Sequence, residues 1–277
     1  MSHVELKNVS KTFALRSGGT SRTTRALDNL SLNINRGEII ALAGPSGCGK
    51  TTALRIIMGL EEASSGSIRV AGKEISGCGL DRGMVFQHAE LLPWRSAVDN
   101  IRFALEAKGI PPHEIAERAE RFINLVGLGH AMHHRPHQLS GGMKQRVGIA
   151  RALAIDPEVL LMDEPFGALD SQTRETLQME LLDIHQRTGK TIIFVTHDLD
   201  EAVLLADRIA VMVQGHLREV IDVNIERPRN DMRAIRSSEE FTRKRQLAWD
   251  ALHGYRDEGD AAPRPATSTA APLRAFA

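Results

Sequence analysis

Residues 44–52 read GPSGCGKTT, and the fold follows from how that stretch is explained. Gly44, Gly49, Lys50 and Thr51 stand at the fixed positions of the pattern G-x-x-x-x-G-K-[ST]; Pro45, Ser46, Gly47 and Cys48 lie between them and Thr52 follows. Each fixed position has a physical task. Glycines let the backbone curl until several N–H groups point at one polyphosphate, where a Cβ would block the approach. A lysine sets a point charge on the β- and γ-phosphates, and the next hydroxyl is placed to ligate Mg²⁺. The helix that starts near Lys50 turns the positive end of its dipole on the same anion. The flanks agree: residues 38–43 (EIIALA) form an apolar run of strand length, and residues 53–58 (ALRIIM) suit a helix that Gly59 stops. Strand, glycine loop and helix in this order point to a nucleotide.

The 277 residues allow one large domain with appendages, and 42% hydrophobic residues supply a sizeable core. With 35 basic and 35 acidic residues the formal charge is zero, which argues against a general electrostatic grip on nucleic acid or anionic lipid. Cys48 and Cys78 are the only cysteines, so no disulfide framework is indicated and a reducing cytoplasm fits. Cys48 reads as a small filler of the loop. The start, MSHVELKNVSKTF, has no signal-peptide core, and no run of 18 apolar residues exists to cross a membrane.

Upstream of the loop, Val4, Leu6 and Val9 mark one alternating strand and Leu30, Leu32 and Ile34 another; Ser17, Gly18, Gly19, Thr20 and Ser21 between them read as a mobile loop. Phe13 is either a ring for stacking on a base or an ordinary core residue. Downstream, residues 67–70 suit a short strand, and residues 82–87 (RGMVFQ) a strand ending in the amide of Gln87. Residues 93–135 change character, with helical patterns at 98–108 and 113–126: a helical insertion in an alternating α/β chain. His130, His133, His134 and His137 invite a metal reading. Pro136 breaks the helix that would align them and no cysteine or carboxylate joins, so solvated or locally bonded histidines fit better.

Residues 139–145 (LSGGMKQ) open a helix that runs to about 155. Ser140, Gly141 and Gly142 at its start offer unpaired N–H groups to an anion, although taken alone they are an ordinary N-cap. Residues 159–164 (VLLMDE) read as a central parallel strand ending in Asp163 and Glu164, at the edge where open α/β sheets bind ligands. The first acid suits Mg²⁺ and the second suits polarising an attacking water. Residues 191–197 (TIIFVTH) repeat the pattern and set His197 at the same edge, for a γ-phosphate contact. Residues 208–213 are a last strand. Phe241, Ala248 and Leu252 share one helix face, with Arg243, Lys244 and Arg245 expected on its solvated side; residues 255–277, rich in alanine and proline, read as disordered.

Taken together, these segments resemble the ATP-binding subunit of ATP-binding-cassette (ABC) transporters over about residues 3–225. The resemblance rests on GPSGCGKTT, the VFQ ending at Gln87, LSGGMKQR, VLLMDEP, the ALD ending at Asp170 and VTHD with His197, in the family's order. It implies an α/β fold of the P-loop NTPase kind: a mixed central sheet, an N-terminal antiparallel β subdomain, and an α-helical subdomain inserted at about 93–155. A C-terminal helical extension over 226–254 and the tail over 255–277 would follow.

The resemblance also implies roles. Lys50 and the loop from Gly44 to Thr52 would bind ATP phosphates. Thr51, Gln87 and Asp163 would organise Mg²⁺ and its waters. Glu164 would be the general base, His197 would sense the γ-phosphate and Phe13 would stack on adenine. Two cassettes, identical in the simplest case, would pair head to tail, so that Ser140, Gly141 and Gly142 complete the partner's site, with Asp170 beside it. Transmembrane permease subunits would receive the motion through the segment Leu91-Leu92-Pro93-Trp94, and a solute-binding protein would take part indirectly. HQLSGGMKQR, LLPW and the tail resemble importers for nitrate, sulfonate and taurine. Such a subunit sits on the cytoplasmic face of the inner membrane. A soluble cassette acting on nucleic acid or ribosomes usually carries two cassettes or a long coiled coil, and neither is present here. A cassette that has lost hydrolysis would not keep Lys50, Asp163, Glu164 and His197.

Overall fold

The computed structural model describes residues 2–17, 20–229 and 231–254; the expectation for 255–277 lies outside the described residues. Strands β1 (Ser2–Ser17) and β2 (Thr20–Asn35) form a long antiparallel hairpin, paired from Val4 opposite Ile34 to Ser17 opposite Thr20. The stretch expected as a mobile loop is therefore ladder backbone on both sides of residues 18 and 19, which lie outside the described residues. Thr20, Thr23 and Thr24 supply the β-branched residues that suit a strand there. With β4 (Ser65–Val70) and β5 (Lys73–Glu74) the hairpin makes a four-stranded antiparallel sheet in the order β2-β1-β4-β5.

The second sheet has six strands: β3 (Ile39–Ala43), β6 (Arg82–Val85), β7 (Val159–Asp163), β8 (Thr191–Thr196), β9 (Arg208–Val213) and β10 (His216–Asp222). Their order is β10-β9-β3-β8-β7-β6, parallel throughout except for the antiparallel edge strand β10. The sheet is buried on both faces, which is why its strands are unbroken apolar runs. Ile39, Ala41, Leu160, Met162, Ile192 and Phe194 point into one core, shared with the helical insertion. The residues between them, among them Ile40, Leu42, Leu161 and Ile193, point into the other, shared with the antiparallel sheet and α1 (Lys50–Met58).

The insertion contains α2 (Ala97–Lys108), α3 (Pro112–Leu125) and α4 (Gly141–Ala154), packed on one another through buried residues such as Ile101, Leu105, Ile123 and Val147. Two side chains tether it to the segment after β6. Gln145 Nε2 donates to the Phe86 carbonyl at 2.9 Å, and Arg151 donates to the carbonyls of Ala89 and Glu90 at 2.8 and 2.7 Å. Helices α5 (Ser171–Thr188), α6 (Leu199–Leu205), α7 (Met232–Arg236) and α8 (Glu239–His253) complete the described residues.

Phe241 and Ala248 are buried where α8 meets α6, β9 and β10, and so is Lys244, expected on the solvated side. Lys244 lies three residues after Phe241 and four before Ala248, on the apolar stripe itself; its stem is covered and its ammonium reaches the Asp222 carbonyl. Arg229 pins the start of this extension. It donates to the carbonyls of Leu204 and Ala206, satisfying groups at the end of α6, and to that of Ile225; burial together with the nearby Arg227 brings its pKa down to about 10. Among the described residues no helix is long and apolar enough to cross a membrane.

Candidate nucleotide site

The phosphate loop joins the end of β3 to the start of α1. Gly47 (φ 80°) and Gly49 (φ 102°) occupy the left-handed region, and Gly49 is the N-cap of α1 with no side chain capping it. A Cβ on Gly44 would run into the Met212 carbonyl and the Cys48 sulfur, and one on Gly49 into the Ala26 carbonyl. Lys50 is buried, and its Nζ donates to the carbonyls of Gly44 at 2.7 Å and Pro45 at 2.9 Å. Both partners are neutral carbonyls, so no carboxylate competes with an anion for this side chain. Cys48 is buried beside it, and that burial pushes its thiol pKa up, which suits a filler rather than a reactive thiol.

Across the loop the Thr51 hydroxyl donates to Asp163 Oδ1 at 2.9 Å. Burial raises the Asp163 pKa, the Thr51 hydrogen bond opposes the rise and the neighbouring Glu164 adds to it. A hydroxyl and a half-buried carboxylate brought together are hard oxygen donors of the kind Mg²⁺ takes, so the residues fit that ion. Glu164 is held in a left-handed conformation (φ 44°), rare for a non-glycine, by two backbone bonds: its N–H to the Val195 carbonyl and the Gly167 N–H to its own carbonyl, both 3.1 Å. That turn aims Glu164 Oε2 at His197 Nδ1, 3.3 Å away. Gln87 approaches from the end of β6. A Cβ on Gly167 would lie 3.4 Å from Gln87 Nε2 and 3.5 Å from Glu164 Oε2, so both side chains converge on that glycine.

The carboxyl ends of the adjacent strands β3, β8 and β7 thus bring Lys50, Thr51, His197, Asp163 and Glu164 to one edge. The signature residues go elsewhere. Ser140 caps α4, its Oγ accepting the Met143 N–H at 3.3 Å. Gly141 opens into a cleft of about 510 Å³ with Gln87, Leu91, Lys144 and Leu169, which no phosphate-loop residue lines. Gly142 lacks a Cβ where Thr173 of α5 packs. Asp170 is exposed and caps α5 by accepting the Thr173 N–H at 3.0 Å, a bond that holds its carboxyl below the usual range. Phe13 is half-buried on β1, with Lys11 Nζ 4.9 Å from its ring centroid.

Two features escaped the sequence reading. Helix α8 walls the loop: Trp249, Leu252 and His253 share a pocket of about 360 Å³ with Gly44, Pro45 and His197, and the Trp249 and His253 rings stack at 3.8 Å. Behind Glu164 and His197 lie Arg174, Gln178 and Glu201. Asp198-x-x-Glu201 has the spacing of a helix capping box, in which the acid would face its own cap. Asp198 does cap α6, but Glu201 turns to the Thr196 hydroxyl.

The fold and this edge define a phosphate-loop ATPase, and comparison with known proteins narrows the class. The ABC transporter family model matches residues 27–167. An uncharacterised ABC transporter ATP-binding protein of Methanocaldococcus jannaschii is 48% identical over 251 residues, 90% of this chain and 91% of the relative. Nitrate transport protein NasD of Klebsiella oxytoca is 46% identical over 233 residues, 82% of this chain and 87% of the relative. Among solved structures, a dimeric ATP-binding cassette in a post-hydrolysis state with ADP and Pi superposes with a TM-score of 0.70 at 34% identity, covering 80% of this chain and all of that one. The chain belongs to the ABC transporter family. It is an ATP-binding, ATP-hydrolysing transporter subunit.

Proposed function

We propose that this subunit energises import of nitrate or a related small anion, working as two copies that enclose Mg-ATP at their interface. The observation that carries the two-copy reading is the separation inside one chain. Lys50, Thr51, Asp163, Glu164 and His197 meet at the sheet edge, whereas Gly141 of the signature opens into a cleft that none of them lines. A second cassette set head to tail brings its own glycine-rich helix start over the γ-phosphate, supplying N–H groups and a dipole.

In this reading Lys50 and the loop amides hold the phosphates, and Phe13 stacks on the adenine. Thr51 and Asp163, with Gln87, would hold Mg²⁺, and the ion would neutralise phosphate charge. Glu164 takes a proton from the attacking water, and His197 fixes the Glu164 carboxylate while contacting the γ-phosphate. The segment Leu91-Leu92-Pro93-Trp94 faces the permease subunits; Gln145 and Arg151 tie the residues just before it to α4, so helix motion and the Gln87 segment move together. Likeness to NasD supports the anion. A chromosomal deletion tests it: loss of ¹⁵N-nitrate uptake, restored by the wild-type gene and not by Lys50→Ala, is the expected result. Normal nitrate uptake alongside loss of another solute overturns the anion and leaves the ATPase standing.

A further inference from the structure

Glu201 lies in the first turn of α6, four residues after His197, and is only 7% exposed. Its Oε2 accepts the Thr196 hydroxyl at 2.8 Å; its Oε1 accepts the Gln178 amide at 3.2 Å and stands 3.8 Å from Arg174 Nε. Thr196 Oγ1 in turn accepts the Asp198 N–H at 3.0 Å. The residues before and after His197 are therefore both held through the hydroxyl that Glu201 fixes. On its other side Arg174 donates from a terminal nitrogen to the Leu169 carbonyl at 3.1 Å, one residue before Asp170. Leu169 is also the side chain that Gly141 faces, 3.5 Å from where a Cβ would stand. A polar cavity of about 50 Å³, the size of one or two waters, separates Arg174 and Glu201 from Glu164 and His197.

Packing does not explain this cluster. Burial raises the Glu201 pKa, and its nearest cation stands at the long distance of 3.8 Å. Arg174 Nε and Gln178 Oε1 are buried without hydrogen-bond partners. An apolar side chain of similar volume would hold α6 in place at least as well. What the polar set does, and an apolar one would not, is connect two loops. One presents Leu169 and Asp170 beside the signature start, and the other carries His197.

We infer that Arg174 and Glu201 are positioning residues that tie the segment 168–170 to the Glu164–His197 pair, so that seating a second copy beside Asp170 sets the geometry of the hydrolytic carboxylate. The inference rests on the two-copy site and on the role of Glu164 proposed above.

A double-mutant cycle on the full chain tests it. Arg174→Ala, Glu201→Gln and the double variant are assayed for kcat, for KM, for the Hill coefficient in ATP, and for equilibrium binding of a fluorescent ATP analogue. Each single change is expected to lower kcat about tenfold, with the double no lower than the worse single, as coupled residues behave. The Hill coefficient falls toward one, while analogue binding stays within about twofold, because no phosphate contact is touched. Arg174→Lys, which keeps the charge, recovers part of kcat. Losses that multiply, an affinity loss parallel to kcat, or wild-type kcat in either single variant overturns the inference. Should Glu201→Gln fold poorly, the partly exposed Arg174→Ala and Arg174→Lys pair decides by the same readouts. Turnover unchanged in Glu164→Gln would instead overturn the role of Glu164. A dead Glu164→Gln beside wild-type Arg174→Ala and Glu201→Gln would sink this inference alone.

Discussion

Among the described residues two α-helices have a glycine at the N-cap or the first turn, and they are built differently. Helix α1 starts at Gly49, in the left-handed region and with no side-chain cap, so its first N–H groups face the phosphate loop unclaimed. A buried lysine, a hydroxyl and two acids stand around it. Helix α4 starts at Ser140, in extended conformation, and the serine hydroxyl already takes one N–H. Gly141 opens into a cleft shared with Gln87 and Leu169, and Gly142 packs against Thr173. One start is rooted in a sheet buried on both faces, the other in a helical layer tied to the Gln87 segment by Gln145 and Arg151. The first is equipped for chemistry and the second only for binding an anion, so the second has its use over a site it does not carry.

The largest effect should come from the chemical half alone. Glu164→Gln keeps the shape and removes the proton acceptor, so kcat should fall about 10²- to 10³-fold with ATP binding retained. A dimer of the variant should then persist with Mg-ATP in light scattering. Turnover within twofold of wild type would remove Glu164 from the role of base.

The binding half is broken at Gly141, where a side chain meets only Leu169 at ordinary contact distance. Gly141→Glu sets a negative charge where an anion is to dock. ATP affinity of the separate chain should be unchanged and turnover should fall about 100-fold, as when an oxyanion donor is lost. Mixing sharpens this. Gly141→Glu has an intact loop and Lys50→Ala an intact signature, so each is inactive alone but a mixture rebuilds one whole site per heterodimer. Activity that does not reappear on mixing would place the two halves of the site in one chain.

How legible each half was follows from how its signal is stored. The loop and the strands around it are local patterns: a short run buried on both faces is continuously apolar, and a polar residue ending it marks the ligand edge. Asp163, Glu164 and His197 stand at that edge, where the pattern predicts polar residues. The hairpin was read too short, because the ladder carries register shifts near Val9 and Lys11 that break the alternation. Nothing was assigned to 171–188, where a narrow stripe of Leu177, Leu181 and Ile184 lies among polar residues. The charge of Lys244 points to solvent, but its helical phase sets it on the buried stripe. Arg174 and Glu201 meet across 27 positions of sequence with no local pattern to announce it.

A smaller effect concerns how the sheet bearing the loop is anchored. His185 of α5 is buried, with Nε2 2.9 Å from the Gly37 carbonyl just before β3. Burial lowers its pKa, so the folded state favours neutral imidazole whereas the unfolded chain titrates near 6.5. The unfolded state then binds the extra proton first. The contribution of His185 is therefore present above about 6.5 and is lost as pH falls through that value toward the lower folded one. Urea unfolding between pH 7.5 and 5.5 should show stability declining with acid, and His185→Gln should flatten the decline. An equal decline in the variant would assign it to other groups.

The smallest effect separates the two helix starts by stability alone. Ser140→Ala removes one side-chain cap and leaves the backbone free to keep its extended conformation, at a cost of about 1 kcal/mol. In a chain this size that lowers the unfolding midpoint by roughly 2–4 °C. The matching change at the other start, Gly49→Ala, removes no cap. It instead forces a Cβ into a φ of 102° and against the Ala26 carbonyl, so strand and helix must shift and the cost exceeds that of the cap. Differential scanning of the two nucleotide-free proteins checks this, with no catalysis involved. A Gly49→Ala midpoint equal to or above that of Ser140→Ala would mean that the phosphate loop relaxes as readily as an ordinary capped helix end, and that its curl is made by the nucleotide rather than by the chain.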